Sequence, residues 1–417
     1  MTETGQAEQV VDVRDDHSYS LNVDALKKIL MRDEVKDLPV VVVSLAGAYR
    51  GGKSFMLNFF LRYLTSPVSA REDGTWLGDD SEPLEGFSWR GGSKRNTVGI
   101  LLWSEPLLTS LPSGEKVAVL LMDTQGTFDS KSTIRDCSTI FALSTLVSSV
   151  QIYNLPGGNI QEDHLQHLQL INEQEDGAKA FQVLEFLVRD WANDFEYAYG
   201  NAGGQLYLDE ILTIVPDQAN ELSELRRHIL DSFETVSCFL MPHPGMNVRR
   251  PDFKGSLNEL EPDFIDNLKD LASSIFGAKK LKVKTINGQP MKARDLFTYF
   301  NTYMGIFNSN KIPSPTSIMK ATAEAGLLLA VNAAREQYET AMAAACGEKA
   351  PSVPAVDLQE LHTRELSAAR ATFIGTKKMG SKEDAELRLG KLTEVVYNIS
   401  VITYDLFEHS CVSQRSL

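Results

Sequence analysis

The stretch LAGAYRGGKSFM, residues 45–56, decides how the larger part of this chain folds. Its residues from Gly47 to Ser54 match the pattern GxxxxGK[ST]. An apolar run rich in β-branched residues, PVVVVSLA at 39–46, precedes the match, and an amphipathic helical pattern at 53–64 follows it. In a strand–loop–helix of this kind, glycines let backbone N–H groups converge on phosphate oxygens, and the helix N-terminus adds positive potential. The stretch therefore predicts a phosphate-binding loop, or P-loop.

Two side chains of this loop and a second motif complete the expected phosphate site. Lys53 is placed to bridge the β- and γ-phosphates of a nucleotide, and Ser54 to ligate Mg²⁺. The stretch VAVLLMDTQG, 117–126, ends an apolar run with a DxxG pattern. We expect Asp123 to hold the metal through water and the amide of Gly126 to contact the γ-phosphate.

A mobile loop must also supply a threonine that completes the Mg²⁺ shell only when a triphosphate is bound. The segment RGGSKRNTVGI, 90–100, is polar and glycine-rich before it becomes apolar. Thr97 is our choice for this switch residue. An ordinary threonine at the start of a strand is the alternative interpretation.

The base-reading residues are harder to find, because the common guanine motif [NT]KxD is absent. Asn310 and Lys311 are followed by Ile-Pro, so they do not satisfy it. VLEFLVRDW, 183–191, instead ends an apolar run with Arg189 and Asp190. A carboxylate matches the adjacent N1–H and N2–H₂ donors of guanine, whereas adenine presents an acceptor at N1. From these residues alone, a strand-end ion pair is an equally good interpretation.

Further apolar runs at 117–122, 183–188 and 235–241 alternate with helix-like segments such as 132–149. This alternation predicts an α/β fold, with a mostly parallel sheet and helices on both faces. The sequence pattern changes at IPSPTS, 312–317, where two prolines and two serines indicate a linker.

Three helical patterns follow the linker, at about 316–345, about 357–375 and from Ser381 onward. The third has an apolar side with alternating steps of four and three, typical of a bundle or coiled-coil seam: Ala385, Leu389, Leu392, Val396, Ile399, Thr403 and Leu406. We predict an all-α three-helix bundle. A partner-binding face is the alternative use of the seam.

Composition excludes several classes of protein. The formal net charge of −15 disfavours nucleic acid or an anionic bilayer as partner of the whole chain. The four cysteines lie far apart without CxxC spacing, which argues against a zinc site or a disulfide framework. No run of about 18 apolar residues is present to span a membrane.

The motifs GAYRGGKS, GFSWRGGSKRNTVGI, LLMDTQGTFDS, FALSTLVSSVQIYNL, LVRDW and CFLMPHPG resemble those of atlastins in order and spacing. Atlastins are dynamin-superfamily GTPases that fuse endoplasmic-reticulum tubules. The resemblance covers nearly the whole chain. It implies Mg²⁺-dependent hydrolysis of GTP, nucleotide-dependent homodimerisation and guanine recognition by Arg189 and Asp190. It also implies that Arg50 is an arginine finger, for which a solvated loop arginine is the alternative.

The implied site comprises three sets of residues: catalytic Arg50, Lys53 and Thr97; nucleotide-binding Gly47, Arg50, Gly51, Gly52, Lys53, Ser54, Phe55, Gly126, Arg189 and Asp190; and metal-binding Ser54, Thr97 and Asp123. The implied domains are a GTPase domain at 1–310, a linker at 311–315, a three-helix bundle at 316–410 and a tail at 411–417.

The chain departs from the family pattern in a few places. Gly51 stands where atlastins usually carry lysine, and Val98 where a second threonine is common. The stretch 172–181 resembles a shortened form of the usual segment. The chain ends just after the third bundle helix, whereas atlastins continue into a membrane hairpin and an amphipathic tail. We therefore expect the cytosolic part of an endoplasmic-reticulum membrane protein.

Two other functions fit the residues. The first is a guanylate-binding-protein-like large GTPase, which shares the Arg-Asp motif. The second is a scaffold that binds GTP, hydrolyses it weakly and recruits partners through the bundle.

Overall fold

The computed structural model describes residues 5–14, 16–89, 99–126, 133–166, 168, 179–215, 219–286, 288–308, 315–346, 355–376, 383, 385–390 and 392–393. The chain divides into two compact units, Met1–Thr316 and Ser317–Leu417. The domain boundaries suggested by the sequence stay predictions. Each unit is described by itself below.

The first unit is built around one large sheet. Its strands are β1 Ala7–Val13, β2 Tyr19–Leu21, β3 Val40–Gly47, β4 Ile100–Trp103, β5 Leu107–Ser110, β6 Lys116–Thr124, β7 Val150–Leu155, β8 Phe181–Arg189 and β9 Phe233–Met241. The order is β2-β1-β4-β6-β3-β7-β8-β9, with β5 beside β6. Strands β6, β3, β7, β8 and β9 are parallel to one another, and the pairs outside this block are antiparallel. The carboxyl ends of the parallel strands therefore share one edge, where ligands bind in open α/β sheets.

Helices cover both faces of this sheet. Those described in the first unit are α1 Val23–Leu30, α2 Lys53–Thr65, α3 Val68–Asp73, α4 Ile134–Val147, α5 Glu162–Gln166, α6 Gly200–Leu212, α7 Asn220–Ser232, α8 Pro262–Phe276 and α9 Ala293–Phe307. On one face, α2 and α8 pack on alternate residues of the sheet, including Ile152 of β7. On the other face, Phe141 of α4 lies 5.1 Å from the ring of Tyr153. A small hairpin of β10 Thr285–Ile286 and β11 Gln289–Pro290 precedes α9. The predicted fold class is confirmed.

The four apolar runs singled out in the sequence correspond to β3, β6, β8 and β9. Every residue of β3 is buried, as expected for a parallel strand covered on both faces. The helical pattern at 53–64 corresponds to α2. The helix-like segment at 132–149 corresponds to α4, Ile134–Val147, and ends just before β7 begins at Val150.

The amino-terminal hairpin of β1 and β2 is joined to the start of α4 by a buried carboxylate. Asp136 is the third helical residue of α4 and forms a capping box with Thr133. Its oxygens also bond to the hydroxyl of Tyr19 at 2.9 Å and to Nδ1 of His17 at 2.8 Å. Burial raises the pKa of Asp136, but these hydrogen bonds outweigh it and hold the pKa below its usual range. The amide of Tyr19 donates to Oδ1 of Asn308, directly after α9.

The second unit is helical. Helix α10 spans Pro315–Cys346 and α11 spans Ala355–Gly375, and residues 385–390 and 392–393 are also helical. The core of this unit consists of three alanines and six larger side chains: Leu327, Ala330, Ala334, Tyr338, Met342, Leu358, Ala369, Phe373 and Leu392. Ala385 and Leu389 of the predicted seam pack against this core. Val396 and the later seam positions lie outside the described residues.

Across the described residues, none of the helices combines the length and the apolar character that crossing a membrane requires.

Candidate nucleotide-binding and active site

The loop between β3 and α2 has the backbone of a phosphate cradle. Gly47 has φ +137°, and a Cβ on it would lie 2.1 Å from the carbonyl oxygen of Asn154 in the neighbouring strand. Gly52 has φ +73° and directly precedes α2. Both positions require glycine, the first for close approach to β7 and the second for a left-handed conformation. The amide groups that begin α2 therefore face the loop, as anion binding requires.

Lys53 is folded into this loop. Its Nζ donates to the carbonyl oxygens of Gly47 at 3.2 Å and Ala48 at 3.0 Å. Burial lowers the pKa of Lys53 to about 8, and the nearby Asp123 offsets part of that change. Two carbonyl oxygens thus hold the ammonium where phosphate oxygens would replace them.

Ser54 and Asp123 meet although 69 positions separate them in sequence. The hydroxyl of Ser54 donates to Oδ2 of Asp123 at 2.6 Å. Leu45 and Asp123 are register partners in β3 and β6, so the parallel pairing brings the end of β6 to the start of α2. A hydroxyl beside a carboxylate supplies the hard oxygen ligands that Mg²⁺ prefers. The residues present therefore fit this metal.

Gly126 lies against the P-loop. A Cβ at this position would come within 2.4 Å of Cα and 2.8 Å of the backbone nitrogen of Tyr49. At Gly126 the DxxG segment thus approaches the P-loop backbone closely, and any side chain at 126 would push the two apart.

The side chains of Arg50 and Phe55 differ in exposure. Arg50 is exposed and has φ +62°, a conformation rarely adopted by residues other than glycine. Its guanidinium lies 5.5 Å from the ring centroid of Tyr49. The Phe55 side chain is buried among aromatic rings, with Phe59 at 5.1 Å and Trp89 at 5.0 Å. Only the backbone of Phe55 remains for a nucleotide.

Arg189 and Asp190, at the end of β8, differ in their surroundings. The Arg189 guanidinium is buried beneath the P-loop, where Nη1 donates to the carbonyl of Gly51 and to Oδ1 of Asn154, each at 3.3 Å. Burial lowers its pKa, and the charge of Asp190 works against that change. Asp190 is half-buried with φ +62°. The predicted contact of both side chains with guanine stays a prediction.

Thr97 lies outside the described residues, so its switch role stays a prediction. Gly99 follows Thr97 in the candidate switch segment, and it both accepts a hydrogen bond from Gln125 of the DTQG segment and donates one to it. The Gln125 amide donates to the Gly99 carbonyl at 2.8 Å, and the Gly99 amide donates to Oε1 of Gln125 at 2.9 Å. Gln125 therefore fixes the end of the candidate switch segment to the segment that carries Asp123.

Residues 16–285 match the family model described as guanylate-binding protein, N-terminal domain. The chain is also 50% identical over 389 residues to "Atlastin" of Drosophila melanogaster, an alignment that covers 92% of this chain and 72% of that protein. It is 47% identical over 395 residues to "Atlastin-1" of Bos taurus, covering 93% of this chain and 70% of the relative. The identity to "Atlastin-3" of Homo sapiens is 47% over 388 residues, covering 91% and 71%.

The chain belongs to the atlastin family. It is a GTPase of the dynamin superfamily with GTP as its substrate. The P-loop and the family match at 16–285 lie within the unit Met1–Thr316, which we call the GTPase unit. The resemblance proposed from the motifs is confirmed.

The structure also brings two residues into the site of this atlastin-family GTPase that the sequence analysis did not assign. Gln125 stands inside the DxxG motif, where only its flanking residues had been given roles. Asn154 lies within an apolar run, and its Nδ2 donates to the Gly51 carbonyl at 2.9 Å. A single asparagine near the end of a strand belongs to no recognisable sequence motif. Its placement next to a P-loop is a consequence of sheet order alone.

Proposed function

We propose that this GTPase is mechanochemical. GTP binding would join two copies through their GTPase units, and a rearrangement of the helical unit would tether and fuse endoplasmic-reticulum membranes from the cytosolic side. The family membership supports this reading. The observation that carries it is Arg50, an exposed cation held inside the P-loop in a left-handed conformation that, among the described non-glycine residues, it shares only with His17 and Asp190.

The chemistry follows from the residues around the loop. A water attacks the γ-phosphorus of GTP, the bond to the β–γ bridging oxygen breaks, and GDP and phosphate are released. Lys53 would exchange its two carbonyl partners for β- and γ-phosphate oxygens, whose charge favours the ammonium form. When bound, Mg²⁺ supplies positive charge to the β- and γ-phosphates. Ser54, Asp123 and Thr97 would hold it.

Arg50 would act where charge develops during transfer of the phosphoryl group. A guanidinium can stabilise negative charge between the β- and γ-phosphates, and an arginine finger contributes roughly 10³–10⁵ in rate. Because Arg50 belongs to the P-loop itself, no activating protein is needed to supply it. Before two copies meet, the Arg50 side chain is exposed and available to contact the partner copy as it docks, so docking and catalysis would use one residue.

Light scattering after size-exclusion chromatography tests the proposal. We expect one copy with GDP, and two copies with a non-hydrolysable GTP analogue or a transition-state mimic. Attached to vesicles through an added anchor, the chain should crosslink them with GTP and not with GDP. Single copies under all three nucleotide conditions would overturn the proposal. Absent turnover together with nucleotide-driven recruitment of another protein would favour the scaffold function.

A further inference from the structure

Asn154 occupies the position between the two ends of the nucleotide site. Strand β7 lies between β3 and β8, and Asn154 is the register partner of Gly47 in β3 and of Leu187 in β8. Its side chain is fully buried. A buried amide is tolerated when both its donor and its acceptor are satisfied.

The partners of this amide lie on the two sides of the site. Nδ2 donates to the carbonyl oxygen of Gly51 in the P-loop at 2.9 Å. Oδ1 accepts from Nη1 of Arg189 at 3.3 Å, and the same Nη1 donates to the Gly51 carbonyl at 3.3 Å. Asn154, Gly51 and Arg189 therefore form a closed triangle of hydrogen bonds, which we call the Asn154 triangle.

The rest of the Arg189 side chain holds the triangle in place. Its guanidinium lies 5.7 Å from the ring centroid of Phe264, and Nη1 lies beside Gly52 at a distance that leaves ordinary van der Waals room. The Arg189 carbonyl accepts from the amide of Gly158 at 2.9 Å, which fixes the backbone next to Asp190. A displacement of the P-loop would thus be transmitted to the strand end that carries Asp190.

Gly51 is the position that makes the triangle fit. Its φ is not in the left-handed range, so its backbone conformation is open to other residues. A Cβ at 51 would, however, lie 2.4 Å from Nδ2 of Asn154. Glycine is therefore needed here because the side-chain amide of Asn154 approaches closely, and not because the backbone makes a turn. This is the position at which the sequence departs from the usual lysine of the family.

We propose that Asn154 is a positioning residue that holds the P-loop and the base-reading Asp190 in one fixed relation. The proposal rests on the function given above, in which Asp190 reads guanine. With the triangle intact, a contact at the base also fixes where the phosphates lie. Without the triangle, the part of the site that binds the base is no longer held in register with the P-loop, and base discrimination weakens.

The test compares GTP with inosine triphosphate, which lacks the 2-amino group of guanine. We define the selectivity as the dissociation constant of inosine triphosphate divided by that of GTP. An unpaired buried polar contact corresponds to a selectivity of roughly 5- to 150-fold, which we expect for the unchanged chain. Asn154→Ala should lower the selectivity several-fold and reduce kcat/KM for GTP. Gln151→Ala is the matched control, because Gln151 is a buried polar residue of the same strand. It should lose stability and keep the selectivity.

Gly51→Ala tests the same contact from the other side and guards against a misfolded Asn154 variant. Its methyl group should displace the amide and lower the selectivity. In the double variant Gly51→Ala/Asn154→Ala the two losses should not add, because they remove one interaction. Additive losses would overturn the triangle as a unit.

Two further outcomes separate this proposal from the one on which it rests. If Asp190→Asn loses the selectivity while a folded Asn154→Ala keeps it, base reading stands and the positioning role is overturned. If the unchanged chain binds both nucleotides equally, base reading by Asp190 fails and the positioning role fails with it.

Discussion

Strands β3 and β8 carry the two ends of the nucleotide site, and they do so with different chemistry. Strand β3, Val40–Gly47, holds no ionisable residue, and its end continues into a loop that we expect to bind phosphate mainly through backbone amides, with Lys53 and Arg50 adding charge. Strand β8, Phe181–Arg189, buries two ionisable side chains, Glu185 and Arg189, and Asp190 follows it directly. The phosphate end thus depends on backbone geometry, and the base end depends on side-chain charge.

This difference has an energetic consequence. Backbone amides at a helix start keep their dipoles whatever the pH. A buried charge must be compensated by neighbours, because removing it from water is costly. Changes at the phosphate end should therefore alter the chemistry strongly at unchanged stability. Changes along β8 should alter selectivity and stability more than turnover.

Arg50→Ala should give the largest effect on turnover. The guanidinium is exposed and makes no buried contact, so the chain should fold normally. Its affinity for GTP should change by no more than a few-fold. Turnover should fall by roughly 10³–10⁵ if the residue is the arginine finger. Arg50→Lys should not restore it, because a point charge cannot reproduce the planar fork. Single-turnover hydrolysis beside stopped-flow binding of a fluorescent GTP analogue measures both quantities.

Arg364→Ala is the matched control for this experiment. Arg364 is an exposed arginine of α11 in the second unit, where its side chain is 72% exposed. Its loss should leave turnover unchanged. Near-normal turnover in Arg50→Ala would mean that the residue is a solvated loop arginine.

Thr97→Ala should separate the diphosphate from the triphosphate state. The threonine is expected to contact Mg²⁺ only when a γ-phosphate is present. GDP affinity should therefore stay unchanged, while dimerisation driven by a non-hydrolysable GTP analogue is lost. Isothermal titration measures the affinity for GDP, and light scattering with the analogue measures dimerisation. Normal dimerisation would place the switch on another residue.

Asp190→Asn should change the base end alone. The substitution keeps the size of the side chain but turns one acceptor into a donor that faces a guanine N–H. The unpaired contact costs about 1–3 kcal/mol, so GTP affinity should fall roughly 5- to 150-fold. Titration with GTP measures the loss. Unchanged affinity would show that the base is read elsewhere.

Glu185→Gln should leave turnover unchanged and alter only stability. Glu185 accepts a hydrogen bond from the hydroxyl of Ser237, yet burial outweighs this bond and raises the pKa to about 7. Below about pH 4.5 the carboxyl is protonated in both the folded and the unfolded chain. As the pH rises towards 7, the unfolded chain ionises first, so the folded state loses stability.

Urea unfolding between pH 5 and 7 measures this loss. The free energy of unfolding should fall with pH more steeply in the unchanged chain than in Glu185→Gln, by up to about 1.4 kcal/mol per pH unit. The buried Lys284, whose pKa burial lowers to about 7, makes stability depend on pH mainly above this range, because below it the ammonium is protonated in both the folded and the unfolded chain. Equal slopes in both proteins would show that Glu185 ionises freely in the folded state.

Much of the fold was predictable, since β3, β6, β8 and β9 each contain a run of six or more residues that is mostly apolar. The strands that the sequence analysis missed are short or carry polar residues. β2 has three residues, and β7 contains Gln151 and Asn154 within an otherwise apolar run. Such strands exist because neighbours in the sheet satisfy their polar groups, and that information is not local in sequence.

The site shows the same division. Lys53, Ser54 and Asp123 were predictable because each belongs to a contiguous pattern whose chemistry is fixed by phosphate and metal. The location of Arg189 beneath the P-loop was not, because it depends on β7 lying between β3 and β8. A residue pattern states which groups are available. The order of the strands decides which of them meet.

The bond between Tyr19 and Asn308 joins the beginning and the end of the GTPase unit, and this has a practical side for protein engineering. A truncation that removes Ala7–Leu21 would also remove His17 and Tyr19 from the buried carboxylate of Asp136, leaving Thr133 as the remaining partner described above. An affinity tag or fluorescent label is better placed ahead of β1 than in exchange for it. For recombinant work, the amino-terminal hairpin is part of the minimal unit and not a dispensable leader.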